Sequence, residues 1–163
     1  MIEGPAPAYE SPVTAPPTET RPPILTAATI LLLSVGILTF AYLLFVPEFS
    51  VIQLFGDLSL ARAFGFGGVV VTLIVVEIAI MLAAAVEAIG AVLLFAVSRS
   101  GRVLAVVGAV GVIAGWAVLV VIVLTRNLRP DAVAWTAIGL SAWLSAVGLI
   151  LLLAAGRAFS PRT

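Results

Sequence analysis

The sequence predicts an all-α polytopic membrane protein, with four transmembrane helices in an up-down bundle and a short interfacial helix between spans one and two. Three observations carry this. The composition is 63% hydrophobic and 10% charged, against roughly 45–50% apolar and about 25% charged in soluble domains. Four runs, at about 24–46, 69–97, 103–125 and 132–155, contain no Arg or Lys, and each exceeds the ~20 residues a helix needs to cross a bilayer. Finally, all eight basic residues, every one an Arg, fall in the tails and connections.

Composition also excludes much of enzyme chemistry. The sequence has no Cys and no His, which removes disulfides, Cys/His metal sites and every His-based nucleophile triad. A formal net charge of zero gives no electrostatic footprint for nucleic acid. The expectation is a non-enzymatic protein with no cofactor and no metal site, whose first partner is the lipid bilayer. The all-Arg basic set and the dominance of Ala, Val, Leu and Gly have the look of a high-GC bacterial genome.

Residues 1–23 contain Pro5, Pro7, Pro12, Pro16, Pro17, Pro22 and Pro23 with few large apolar groups. Such a stretch buries too little surface to offset its ordering entropy, so a disordered, Pro-rich cytoplasmic tail is expected. The start lacks the basic region and cleavage site of a secretory signal. The first span, 24–46, is bracketed by Pro23 and Pro47. In the following connection Ser50, Gln53 and Asp57 share one helical face and Val51, Leu54, Phe55 and Leu58 the other, which predicts an amphipathic helix at 48–58 in the membrane interface. Gly65, Gly67 and Gly68 are expected to break the chain before the second span.

That second span, 69–97, holds Glu77 and Glu87, the acidic residues that fall inside membrane-length segments. A charge at the bilayer centre costs about 2.5–3.5 kcal/mol on insertion scales, so an intramembrane carboxyl is a functional candidate by default. Counted inward from Arg99, Glu87 lies about 18 Å deep, near the midplane, and Glu77 about 33 Å away, at the far interface, where it is expected to reach water or headgroups. Counting equally from the other cytoplasmic ends places Ser34, Trp116 and Ser145 at the depth of Glu87. No Arg, Lys or His lies within any span, so the form expected for Glu87 is the neutral acid, hydrogen-bonded to a hydroxyl or indole in a midplane polar layer.

A tight turn is expected around Ser100-Gly101, between Arg99 and Arg102. In the third span Gly108, Gly111 and Gly115 permit close helix approach, and in the fourth Ala137, Ser141 and Ser145 form a stripe of small residues, so spans three and four are expected to pack tightly together. The domain organisation is thus a tail at 1–23, a transmembrane domain at 24–157 and a C-terminal tail at 158–163.

Residues 87–99 align without gaps on 145–157, with identity at Ala88/Ala146, Gly90/Gly148, Leu93/Leu151, Leu94/Leu152, Ala96/Ala154 and Arg99/Arg157. A duplicated two-helix hairpin is consistent with spans two and four running the same way. With four spans, Arg21, Arg99, Arg102, Arg157 and Arg162 share one side, against Arg62, Arg126 and Arg129 on the other. The positive-inside rule then expects both termini in the cytoplasm of a cell whose plasma membrane the chain crosses.

Arg21-Pro-Pro before the first span, Glu87-x-x-Gly90 with Leu93-Leu94, and Gly101-Arg102-Val-Leu-Ala105 opening the third span together resemble uncharacterised small four-helix membrane proteins of actinobacteria, over about residues 21–157. The resemblance implies a plasma-membrane location and supplies no activity. Small multidrug transporters also have four helices and one membrane Glu, but carry it in the first helix, which here has none. The function expected is that of a non-enzymatic accessory or interaction subunit, in a homo-oligomer or a larger membrane complex. The alternative is an oligomeric proton- or cation-coupled small transporter using Glu87.

Overall fold

The computed structural model describes residues 22–45, 67–96, 98–126 and 132–155. They form four helices, α1 (Pro23–Phe45), α2 (Gly67–Phe95), α3 (Arg99–Thr125) and α4 (Ala132–Ala155), each long and apolar enough to cross a membrane. Of the tail expected at 1–23, residues 1–21 lie outside the described residues, as do the amphipathic stretch at 48–58 and the C-terminal tail at 158–163; Pro23, expected in the tail, is helical.

Helix ends differ from the expected ones where capping chemistry intervenes. Pro23 opens α1, a position where the missing N–H costs nothing, and the Pro22 carbonyl accepts from Leu25 N at 2.9 Å. Gly67 and Gly68 belong to α2 rather than breaking the chain before it. The expected turn at 99–102 is instead the first turn of α3. Ser98 decides this. Its N–H returns to the Leu93 carbonyl at the end of α2 (3.3 Å), its backbone is extended (φ −79°, ψ 134°), and its hydroxyl accepts from Gly101 N at 3.3 Å. One residue therefore terminates α2 and N-caps α3, leaving almost no loop between them.

The helices form a ring of neighbours in chain order, closed by α1 against α4, so that α1 faces α3 and α2 faces α4 across the bundle. The α2/α3 contact is the most extensive and α3/α4 the least. Along the α2/α3 seam Gly101 meets Leu93 and Leu94, Gly108 meets Glu87, Gly111 meets Ala83 and Gly115 meets Ile80, an antiparallel progression. The expected tight pairing of spans three and four is thus corrected, because the glycine face of α3 is turned to α2. The reason lies in the sequence of α2: opposite each glycine the seam presents either backbone that must come close or a side chain that fills the gap.

The buried core has two parts. One gathers Leu25, Ala28 and Leu32 with Ala91, Leu94, Ala105, Ala109 and Leu152. The other gathers Leu43 with Ile80, Ala84, Val112, Trp116, Leu119 and Ile138. Glu87 falls between Ala84 and Ala91, and Ser145 between Ile138 and Leu152, so the junction of the two clusters is polar.

Candidate functional site

Glu87 is fully buried (0% exposed), as is Ser145. The Ser145 hydroxyl lies 3.2 Å from Glu87 Oε1 and 3.4 Å from Oε2, so it donates to the carboxyl across the α2/α4 diagonal. Two local facts allow this. Gly108 lacks the side chain that would collide with the Glu87 backbone, which lets α3 press α2 towards the centre. Ser145 lies on the buried face of α4 that also presents Ile138, Gly148 and Leu152. The bonded residues are 58 positions apart, the same offset that aligns 87–99 on 145–157. Gly90/Gly148 and Leu94/Leu152 are buried in both segments, so the matched residues hold equivalent places on opposite sides of the bundle.

One turn along α4, Ser141 makes a second polar contact. Trp116 Nε1 donates to Ser141 Oγ at 3.0 Å, and Ser141 Oγ is hydrogen-bonded to Thr39 Oγ1 at 2.6 Å, either hydroxyl being able to donate. Trp116 is therefore bonded to α4 through Ser141, not to Glu87. Its depth also differs from the expected one: Gly108 stands level with Glu87, while Gly115 is level with Ile80. The earlier start of α3, at Arg99 rather than 103, accounts for about half of this difference of roughly two turns.

Ser34 does not join the layer. It is exposed on the outside of α1, while its neighbours Val35 and Gly36 are buried. Equal depth says nothing about direction, and one residue rotates a helix by 100°. Glu77 departs from expectation as well. It is 1% exposed instead of reaching water, and its Oε2 has no hydrogen-bond partner among the described residues. Ile74, Glu77, Ile80, Ala84, Glu87, Ala91 and Leu94 are all buried, so steps of three or four residues between them carry both carboxyls to the bundle interior.

Of the small-residue candidates, Gly108 is buried and Gly111 and Gly115 half-buried against α2; Ala137 and Ser141 are half-buried. The roles of Thr39 and of Gly36, which meets Ala84 and Ala88 of α2, have no signal in the sequence pattern of α1. Gly101 did carry one: Gly101, Gly108 and Gly115 recur every seven residues, the period of one helix face on another.

Among the described residues no group of three His, Cys, Asp or Glu could hold a metal ion. Chemically, the Glu87 layer supplies a carboxyl, a hydroxyl and no cation. Neither protein families, nor curated proteins, nor solved structures provide a match to this chain.

Proposed function

We propose that the chain is a non-enzymatic accessory or interaction subunit of a membrane assembly, its four helices running up and down through a bacterial plasma membrane with both termini cytoplasmic. The resemblance to small actinobacterial membrane proteins and the Arg distribution support the location. The observation that carries the functional reading is the enclosure of Glu87. Its carboxyl has no exposed surface and is engaged with Ser145, so it serves to fasten α2 to α4. A carboxyl loading and unloading ions from a pathway needs access to it.

The outer surface that remains is almost entirely apolar, with Leu38, Trp143 and Ile150 each more than 60% exposed, as contact with lipid or neighbouring membrane helices requires. The amphipathic segment at 48–58 fits this reading as an interfacial element beside the bundle.

A second reading, an oligomeric proton- or cation-coupled transporter using Glu87, rests on the mid-membrane position of that carboxyl, since ionisable residues inside a membrane often mark ion pathways. One experiment separates the two. The full chain and Glu87→Gln are reconstituted in liposomes containing a pH-sensitive dye, and both are purified from native membranes under mild detergent. The interaction reading expects no protein-dependent proton flux, and the same co-purifying assembly for both proteins. Proton flux present in the wild type and lost in Glu87→Gln would overturn it.

A further inference from the structure

Between α1 and α4 lies a cleft with a volume of about 420 Å³, within the range of small-molecule sites. Leu38, Phe45, Leu140 and Leu144 form its walls, and Thr39, Ser141 and Trp116 line it as well. Leu38 is 65%, Phe45 74% and Leu140 54% exposed on the outside of the bundle, so the cleft opens sideways, where acyl chains lie. Thr39 sits six residues before the end of α1, about 9 Å inside it, and Ser141 nine residues after the start of α4, about 14 Å inside. The polar residues are thus at hydrocarbon depth.

Their hydrogen bonds do not close. Trp116 Nε1–H and the two hydroxyls make three donors, but the bonds from Trp116 to Ser141 and between Ser141 and Thr39 use only two of them. Whichever hydroxyl donates in the second bond, one O–H is left over. Four other helical hydroxyls return their protons to the chain: Thr29, Thr72, Thr125 and Thr136 each donate to the carbonyl four residues earlier. Neither Thr39 nor Ser141 does so, and among the described residues the remaining proton has no acceptor. An unsatisfied hydroxyl in an apolar setting is costly, and apart from Tyr42 the remaining walls of the cleft are apolar side chains.

We propose that the α1/α4 cleft is a binding site for a membrane-dissolved molecule with an apolar body and a carbonyl oxygen, the oxygen accepting the remaining proton of the Thr39–Ser141 pair. The carbonyl comes either from a free hydrophobic ketone or quinone or from the ester of a phospholipid.

Trp116 supplies the readout. With Trp135→Phe and Trp143→Phe removing the two other indoles, the full chain in phosphatidylcholine nanodiscs is titrated with a terminally brominated long-chain methyl ketone and with the matching bromoalkane. The ketone is expected to quench Trp116 saturably and at about tenfold lower concentration, the effect of one hydrogen bond. Thr39→Val combined with Ser141→Ala is expected to erase that difference and leave alkane quenching unchanged. Leu140→Phe, which narrows the cleft mouth without touching the hydrogen bonds, is expected to weaken both. A parallel sample with phosphatidylcholine brominated on its acyl chains identifies the source. Quenching by that lipid that depends on the two hydroxyls assigns the phospholipid ester, and a response to the ketone alone assigns a free hydrophobe. Equal potency of ketone and alkane, or a ketone preference that survives loss of both hydroxyls, would overturn the proposal.

Discussion

Ser145 donates to Glu87 across the bundle diagonal, at 3.2 Å and with both side chains fully buried, and this bond lies where the two apolar clusters meet. Between membrane helices such a bond contributes about 0.6 kcal/mol on average and up to about 1.7. A double-mutant cycle on Glu87→Met and Ser145→Ala, each change removing one partner of the bond, is expected to give a coupling in that range when read by unfolding in mixed micelles. The same cycle with Ser34→Ala is expected to give none, since Ser34 faces outward. Coupling of Ser34 to Glu87 would show that α1 is rotated from the orientation described.

Gly108→Ala is expected to be among the most damaging single-methyl changes in the chain. Its Cβ would meet the Glu87 backbone, which cannot move aside as a flexible side chain can, and overpacking of this kind costs about 1–3 kcal/mol. Gly139 is the control: a Cβ there has nothing within 4 Å, so Gly139→Ala should be neutral or slightly stabilising. Parallel unfolding curves check both.

At Glu77 the expected sign is reversed. A buried polar atom without a partner carries a desolvation penalty of about 1–3 kcal/mol, and among the described residues Glu77 Oε2 is such an atom. Glu77→Met, similar in length and unbranched, is expected to raise stability by an amount in this range. A lower stability would mean that the carboxyl makes an interaction the mutation removes.

The hairpin between α2 and α3 depends on Ser98. Ser98→Ala removes the hydroxyl that accepts from Gly101 N, and loss of an N-cap costs about 1 kcal/mol. Ser98→Asp, which restores an acceptor, is expected to recover most of it. Failure of that rescue would shift the role of Ser98 from its hydroxyl to its backbone bond with Leu93.

Topology has its own test. If the five-to-three Arg bias sets the orientation as the positive-inside rule expects, protease added to inverted vesicles clips the Pro-rich tail and leaves the helices intact. Full protection of the tail there would reverse the assignment of sides.

Among the described residues, the number of membrane-length helices and their approximate extents follow from the sequence alone, because transfer into lipid is favourable or unfavourable residue by residue and can be summed along a window. The carboxyl at residue 87 stands out for the same reason. The connection between α2 and α3 was less legible. Arg99 and Arg102 read as a polar turn, whereas a single serine cap lets the helix begin at Arg99 and carry both arginines in its first turn.

What only the tertiary structure decided is direction around each helix axis. In a soluble bundle the apolar stripe would reveal it, but lipid chains are as apolar as leucine, so a membrane helix can be apolar on every side. Here Leu38 and Ile150 face outward while Leu32 and Leu152 face inward, and nothing in their chemistry distinguishes them. The facing is set by where backbones can approach, at Gly108 against Glu87 and Gly36 against Ala84, and by the few polar groups that must find each other. Ser145 finds Glu87, and Ser141 finds Trp116 and Thr39. Ser34, at nearly the same depth, is left outside because one residue of helical rotation separates it from the buried face.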